Sequence, residues 1–354
     1  MRVAFVTVGD TSRLTGGYLY NARVLATLQE RGVAVEEIVP CGASPKEQEE
    51  AAPRFSLGRN LRCFDAIVVD ALAWIVCAPH VDRWREERPV VVMVHELPSV
   101  AAPEGVTDKE RDQYEEPLLQ ADRLISVSGH GGSILQSRGV SAARIRIVPP
   151  GFDRLPPPGA GARPPVRDDA PVRVLCVAQW IPRKGVLDLV RAWTACERPG
   201  AMLELVGVTD ADPAYARSVN AAIAGASDTS IVVSGPVEDA TLGDAYAAAD
   251  LFVLPSRYEG YGVVYAEALA RGLPIIACNV GPVPEVVGEE AAVLVEPGDV
   301  EALSGALDLL LQDAALRERM SAAARRRAER LPSWEDATAG FLRVLQEVVA
   351  ERSR

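Results

Sequence analysis

Two patterns alternate along the chain. Short runs are apolar at nearly every position, and longer segments between them carry apolar residues three and four apart. In the first half the runs are 3–8 (VAFVTV), 33–39, 66–70 (AIVVD), 90–94 (VVVMV), 123–127 (RLISV) and 146–148. In the second half they are 172–178 (VRVLCVA), 202–206, 231–234, 251–254 (LFVL), 274–278 (PIIAC) and 292–295. A run that is continuously apolar marks a strand covered on both faces, as in a parallel sheet. The segments between read as helices: 18–31, 108–120, one opening beside His130, 186–196, 215–224, 242–249, 264–270, 301–312, 315–331 and an amphipathic last one over 334–350. Strand and helix in alternation predict α/β architecture with parallel sheets. The pattern runs through twice, so the expectation is two Rossmann-like domains with a cleft between them. A stretch rich in Pro, Gly and Ala, 151–171, divides residues 1–150 from 172–333 as a linker.

Charge narrows the partners. The net charge is −12 with a pI of about 4.9, and both halves are acidic. That argues against nucleic acid as the main ligand. It also supplies no polybasic surface for a membrane, so membrane contact is compatible with the sequence but not indicated by it. The six cysteines form no CxxC pair and lie mostly in or beside apolar runs, which fits reduced, buried thiols and a cytoplasmic location. Met1 leads straight into a strand, with no leader expected, and no apolar run approaches the ~18 residues of a membrane span.

The chemistry concentrates in residues 255–267, PSRYEGYGVVYAE, between a strand and a helix. A glycine-rich turn there leaves helix N-terminal N–H groups free for phosphate or sugar oxygens. Glu259 and Glu267 bracket the turn and can accept bonds from sugar or ribose hydroxyls; taken alone, the pair reads as readily as a surface glutamate and a helix-face glutamate. Arg183 and Lys184 stand ahead of another helix, where side-chain charge adds to the helix dipole as an anion site; two solvated surface cations are the bland alternative. Gly16 and Gly17 precede the first helix, either as a tight turn or as a close approach to ligand. The segment is not GxGxxG, which disfavours a dinucleotide dehydrogenase. His95 ends a buried strand, where open α/β sheets bind ligands; a capping or core histidine is the bland alternative. Two motifs are decoys: Asp210 and Asp212 (DxD) read as turn chemistry rather than a metal site, and Arg325–Arg327 as a solvated face.

In order along the chain, Gly16-Gly17, His95, VPPGFD, PRKG, AAADLFVLPSRYEGYGVVYAEALARGLPIIA and GPVPEVV resemble the retaining GT-B glycosyltransferases of the glycogen-synthase-like type, family 4. The likeness covers nearly the whole chain. It implies that Glu267 holds the nucleotide ribose. Glu259, with the backbone of Gly260, Tyr261, Gly262, Val263 and Val264, would hold donor sugar and phosphate. Arg183 and Lys184 would bind the diphosphate, Gly16 and Gly17 would approach it from the other domain, His95 would face the donor sugar, and Val237 would contact the base. It also implies transfer from a nucleotide-sugar, UDP or GDP favoured, to a hydroxyl acceptor by a front-face route, with no cofactor and no divalent metal. The last helix would cross back onto the first domain. Glu96 stands where the family often has Asp, and Ala178-Gln179 where it more often has Gly-Arg. An epimerase of similar fold and a non-catalytic nucleotide-binding module are the competing readings. The acceptor would be met by loops 10–20, 41–62 and 97–118, whose sequence names no substrate, although the acidic balance mildly favours a metabolite or saccharide over a lipid. Oligomeric state is not legible.

Overall fold

The computed structural model describes residues 1–11, 15–57, 61–101, 105–155, 171–196, 200–226 and 230–352. Most of the expected linker, 156–170, lies outside them, as do 12–14 in the first expected acceptor loop, 58–60 in the second and 102–104 in the third. The chain divides into two compact units, Met1–Gly151 with Pro332–Arg354, and Phe152–Leu331.

The first unit is built on six parallel strands: β1 (Arg2–Val6), β2 (Ala34–Ile38), β3 (Ala66–Asp70), β4 (Val90–Val94), β5 (Arg123–Ser126) and β6 (Ile145–Ile147). Their order is β2-β1-β3-β4-β5-β6. Every residue of β3 and β4 is buried, as the unbroken apolar runs require of central strands. The edge strand β2 (AVEEI) instead exposes Glu36 and Glu37, charges that discourage pairing with another chain. Helix α1 (Gly16–Glu30) buries Tyr20, Asn21, Val24, Leu25 and Leu28 along one stripe, and stops before Gly32 at φ +79°. Gly16 and Gly17 are thus its first two residues rather than a turn ahead of it.

The helix expected over 108–120 is broken into Asp108–Glu110, a π turn over Arg111–Glu115, and Glu116–Leu119. Pro117 brings no N–H to continue the helical ladder. The buried Glu115 carboxylate meanwhile turns inward, accepting from the Ser99 backbone N–H and hydroxyl and pairing with Arg138 at 2.6 Å.

The second unit repeats the plan with β7 (Arg173–Val177), β8 (Met202–Val206), β9 (Ile231–Gly235), β10 (Leu251–Leu254), β11 (Ile275–Cys278) and β12 (Ala292–Val295), ordered β12-β11-β10-β7-β8-β9 and all parallel. Two six-stranded parallel sheets clothed in helices agree with the α/β, Rossmann-like expectation. The DxD motif proves to be a cap: Asp212 accepts from the N–H groups of Ala214 and Tyr215 at the start of helix Pro213–Gly225.

The last helix, Trp334–Arg352, packs on α1 within the first unit. Its Trp334 ring meets Tyr20 edge-on at 6.0 Å, and Gly151 lies so close that a Cβ there would stand 2.2 Å from the Trp334 nitrogen. No helix among the described residues is long and apolar enough to cross a membrane.

Candidate functional site

In the second unit the two strongest motifs are stapled together. The Pro182–Lys184 turn ends at Gly185, whose φ is +66° and whose missing Cβ would lie 2.2 Å from the Pro255 carbonyl oxygen. Only glycine tolerates both the left-handed backbone and that approach. Arg257 N–H then donates to the Arg183 carbonyl at 2.7 Å. The PRK turn and the PSRYEGYG loop, some seventy residues apart in sequence, therefore form one ledge at the C-terminal end of β10.

On this ledge Lys184 Nζ donates to Glu259 Oε1 at 2.7 Å. The Glu259 side chain is 5% exposed and that of Lys184 16%. Burial alone would push the Glu259 carboxyl up, but Lys184 and Arg183 outweigh it and hold the group below the usual carboxylate range. Arg183 lies over the Tyr258 ring at 5.9 Å. A carboxylate kept ionised beside two cations can accept from hydroxyls, while the cations meet an anion.

The glycine turn ends at Gly262, φ +90°, which caps helix Val263–Ala270 with no side-chain hydrogen bond. A Cβ there would sit 2.4 Å from the Tyr265 ring. The first-turn N–H groups at Val263 and Val264 are thus left without a capping side chain, the usual arrangement for anion binding at a helix start.

Glu267, one turn into that helix, is 2% exposed. Its Oε1 accepts from Arg154 Nε at 2.9 Å and lies 2.9 Å from Nη2 of the same guanidinium, and its Oε2 lies 3.1 Å from the Tyr246 hydroxyl. Arg154 also pairs with Asp239, at the start of helix Asp239–Ala248 and two residues beyond Val237. Burial raises the Glu267 carboxyl above its ordinary range, a rise that Arg154 and the Tyr246 bond reduce without cancelling. Arg154 escaped the sequence reading. It stands three residues after Gly151, outside every motif, and its partner is 113 positions away. Val237 is half-exposed, and nothing among the described residues tests its expected place beside a base.

In the first unit His95 follows β4, half-buried, with Nε2 2.9 Å from Asn21 Oδ1. Its ring meets Tyr20 edge-on at 5.4 Å. Gly17 packs against it, since a Cβ would come within 3.3 Å of the imidazole Cδ2, whereas a Cβ on Gly16 would meet nothing within 4 Å. The close approach at Gly17 is therefore to protein. The structure groups Gly17 with His95 in this unit, and Arg183, Lys184, Glu259, Gly260–Val264 and Glu267 in the other. His130 lies at the start of helix Gly129–Ser137, as its sequence position implied. Among the described residues no cluster of three His, Cys, Asp or Glu side chains could hold a metal ion.

Comparison with known proteins matches both units. Residues 14–154 fit the family described as Glycosyltransferase Family 4, and residues 163–327 that described as Glycosyl transferases group 1. An MMP alpha-(1->4)-mannosyltransferase of Mycolicibacterium hassiacum is 35% identical over 65% of this chain, a match spanning 55% of that protein's length. A D-inositol 3-phosphate glycosyltransferase of Xylanimonas cellulosilytica is 32% identical over 77% of this chain and 69% of its own. Among solved structures, a sucrose-phosphate synthase from Thermosynechococcus elongatus superposes with a TM-score of 0.81 over 99% of both chains at 24% identity, which speaks for the fold. The two parallel sheets, the ordered motifs and these likenesses agree: the chain belongs to the glycosyl transferases group 1, with the GT-B fold.

Proposed function

We propose that this protein transfers a hexose from a nucleoside-diphosphate sugar, UDP- or GDP-linked, to a hydroxyl of a saccharide, metabolite or lipid acceptor, with retention at the anomeric carbon. The observation that carries the reading is the buried Lys184–Glu259 pair on a ledge with Arg183, beside the uncapped start of helix Val263–Ala270. Arg183 and Lys184 receive the donor diphosphate. Glu259 and the N–H groups of Gly260 to Val264 hold sugar hydroxyls and phosphate, and Glu267 takes a ribose hydroxyl. Gly16 and Gly17 belong to the diphosphate's surroundings, His95 to the sugar's and Val237 to the base's.

As the bond from C1 to the phosphate oxygen breaks, negative charge grows on the leaving diphosphate. Cations already fixed beside it then matter more in the transition state than in the ground state. The acceptor oxygen bonds to C1 on the same face, and its proton passes to the departing phosphate oxygen. The two side-chain cations carry the charge role, so no divalent metal or other cofactor is assigned to the step. A cytoplasmic site of action fits a supply of nucleotide-sugar.

A thermal-shift screen against UDP, GDP, ADP and their sugars in EDTA tests this. A ligand bound only by the native state stabilises it by about 2.7 kcal/mol at a hundredfold excess over Kd. One nucleotide series standing out, followed by transfer of its sugar, is the expected result. No shift with any nucleotide, with or without added Mg²⁺ or Mn²⁺, overturns the reading.

A further inference from the structure

Behind His95 the first unit carries a buried polar chain that the donor site does not require. Asp70, fully buried at the end of β3, accepts at Oδ2 from Asn21 Nδ2 (2.7 Å) and the Thr7 hydroxyl (2.9 Å), and at Oδ1 from the Leu72 N–H (3.0 Å). Asn21, 4% exposed, lies on α1 with its Oδ1 turned to His95 Nε2 at 2.9 Å.

The direction of each bond follows from donor and acceptor capacity. A carboxylate only accepts, so the Asn21 group facing Asp70 is the NH₂. The opposite amide orientation would set two oxygens 2.7 Å apart in a buried site, with no proton between them. Asn21 Oδ1 therefore faces the imidazole, and because it too only accepts, Nε2 must carry the hydrogen. A neutral imidazole protonated at Nε2 has a bare lone pair at Nδ1.

The ring is held in this pose on three sides. Gly17 lies against its Cγ–Cδ2–Nε2 edge, Tyr20 meets it edge-on, and Asn21 takes the Nε2 hydrogen. The opposite edge, with Nδ1, makes no hydrogen bond to the described residues.

We infer that Asp70 and Asn21 are positioning residues that lock His95 as the Nε2-protonated tautomer and so present Nδ1 as an acceptor for a sugar hydroxyl. This rests on the reading of His95 as facing the donor sugar. The consequence is selectivity by direction: a group that donates a hydrogen to Nδ1 is held, and one that only accepts is turned away. A donor deoxygenated or O-methylated at the hydroxyl that meets His95 should lose about tenfold or more in kcat/KM, because a polar group is then left unpaired.

Nitrogen NMR of protein labelled with ¹⁵N-histidine reads the tautomer directly. The chain has only three histidines, His80, His95 and His130, and His95→Ala assigns the signal. The expected wild-type spectrum shows a protonated-type Nε2 and a bare Nδ1. Asn21→Ala should give mixed tautomers and lower kcat about 10- to 100-fold, with donor KM moved far less. In Asp70→Asn the new amide can offer its NH₂ to Asn21, which frees Asn21 to reverse and the tautomer to switch.

A wild-type signal protonated at Nδ1 overturns the inference, whether or not the variants fold. So does an unchanged tautomer in folded Asn21→Ala. The sugar-facing reading is judged separately: full turnover of nucleotide-sugar by His95→Ala would refute that reading, while the tautomer result would still stand on the spectrum alone.

Discussion

The Lys184–Glu259 pair sets one test for structure and another for function. Lys184→Ala strands a buried carboxylate, and breaking a buried pair from one side costs about 3–5 kcal/mol. It should also slow sugar transfer about 100-fold, the loss expected for one transition-state contact of about 3 kcal/mol. The double variant Lys184→Met with Glu259→Gln removes both charges. Urea unfolding should show most of the stability regained while turnover stays low; recovery of turnover would mean the pair only holds the loop. The two glutamates also separate by pH. Glu259 is held below the ordinary carboxylate range, so the stability its ionisation brings is complete above the unfolded value and fades only as pH falls through the lower, folded one. Glu267 is raised, so its sign is reversed: its contribution favours the fold at low pH and is lost as pH rises through the raised value. On the role proposed for Glu267, the ionised carboxylate is the stronger acceptor of a ribose hydroxyl, so nucleotide affinity should weaken on acidification at a pH above the ordinary carboxylate range, while Glu259 is still charged. Arg154→Met removes the cation that limits the rise, and calorimetric titration of nucleotide across pH should show the acid limb moved upward.

Elements are positioned by contacts of quite different reach, and that decides what the sequence could reveal. The strands were legible because a central parallel strand must be apolar on both faces, and β3 and β4 are buried at every position. The PSRYEGYG loop was legible because the glycines, the flanking strand and the helix it starts are all local. The long-range partners of other buried carboxylates were not. Glu267 meets Arg154 across 113 positions, and Asp70 meets Asn21 across 49, with no periodicity or spacing to announce either. The π turn at Arg111–Glu115 had no local signal either, and its Glu115 pairs with Arg138, 23 positions on. Gly185 sets how closely two motif loops approach. Gly185→Ala adds a Cβ 2.2 Å from the Pro255 carbonyl oxygen on a backbone at φ +66°. Gly200→Ala has the same φ with nothing within 4 Å, so it isolates the backbone term, about 1–3 kcal/mol. Unfolding of the two variants should place Gly185→Ala clearly below Gly200→Ala, with transfer activity lost only in the former. Equal stabilities would mean the ledge gives way without cost.

At the scale of the whole molecule, the chain leaves its first unit at Gly151 and returns to it at Pro332. The returning helix is no appendage. Phe341, Val344, Leu345 and Val348 are each at most 2% exposed, and Arg123 and Arg146 on β5 and β6 pair with its Glu351 and Glu347. Burying one such apolar side chain contributes about 1.5–3 kcal/mol. Four of them together rival the whole net stability of a domain, about 5–15 kcal/mol. These partly exposed ion pairs add less. Truncation after Leu331 therefore removes a wall of the first unit's core while leaving every residue of the second unit in place. The truncated protein should show two unfolding transitions, an early one from the first unit and a later one close to the full-length value. Hydrogen exchange should accelerate in α1, β5 and β6 but not in β7 or β10. Nucleotide should still raise the later transition, because the ledge of Arg183, Lys184 and Glu259 and the Glu267 carboxylate all lie in the unit that stays intact. Sugar transfer should be absent, because His95 and the expected acceptor loops belong to the unit that fails. Loss of both transitions together would show instead that the second unit cannot hold its fold without the first, and nucleotide binding would then be lost along with transfer.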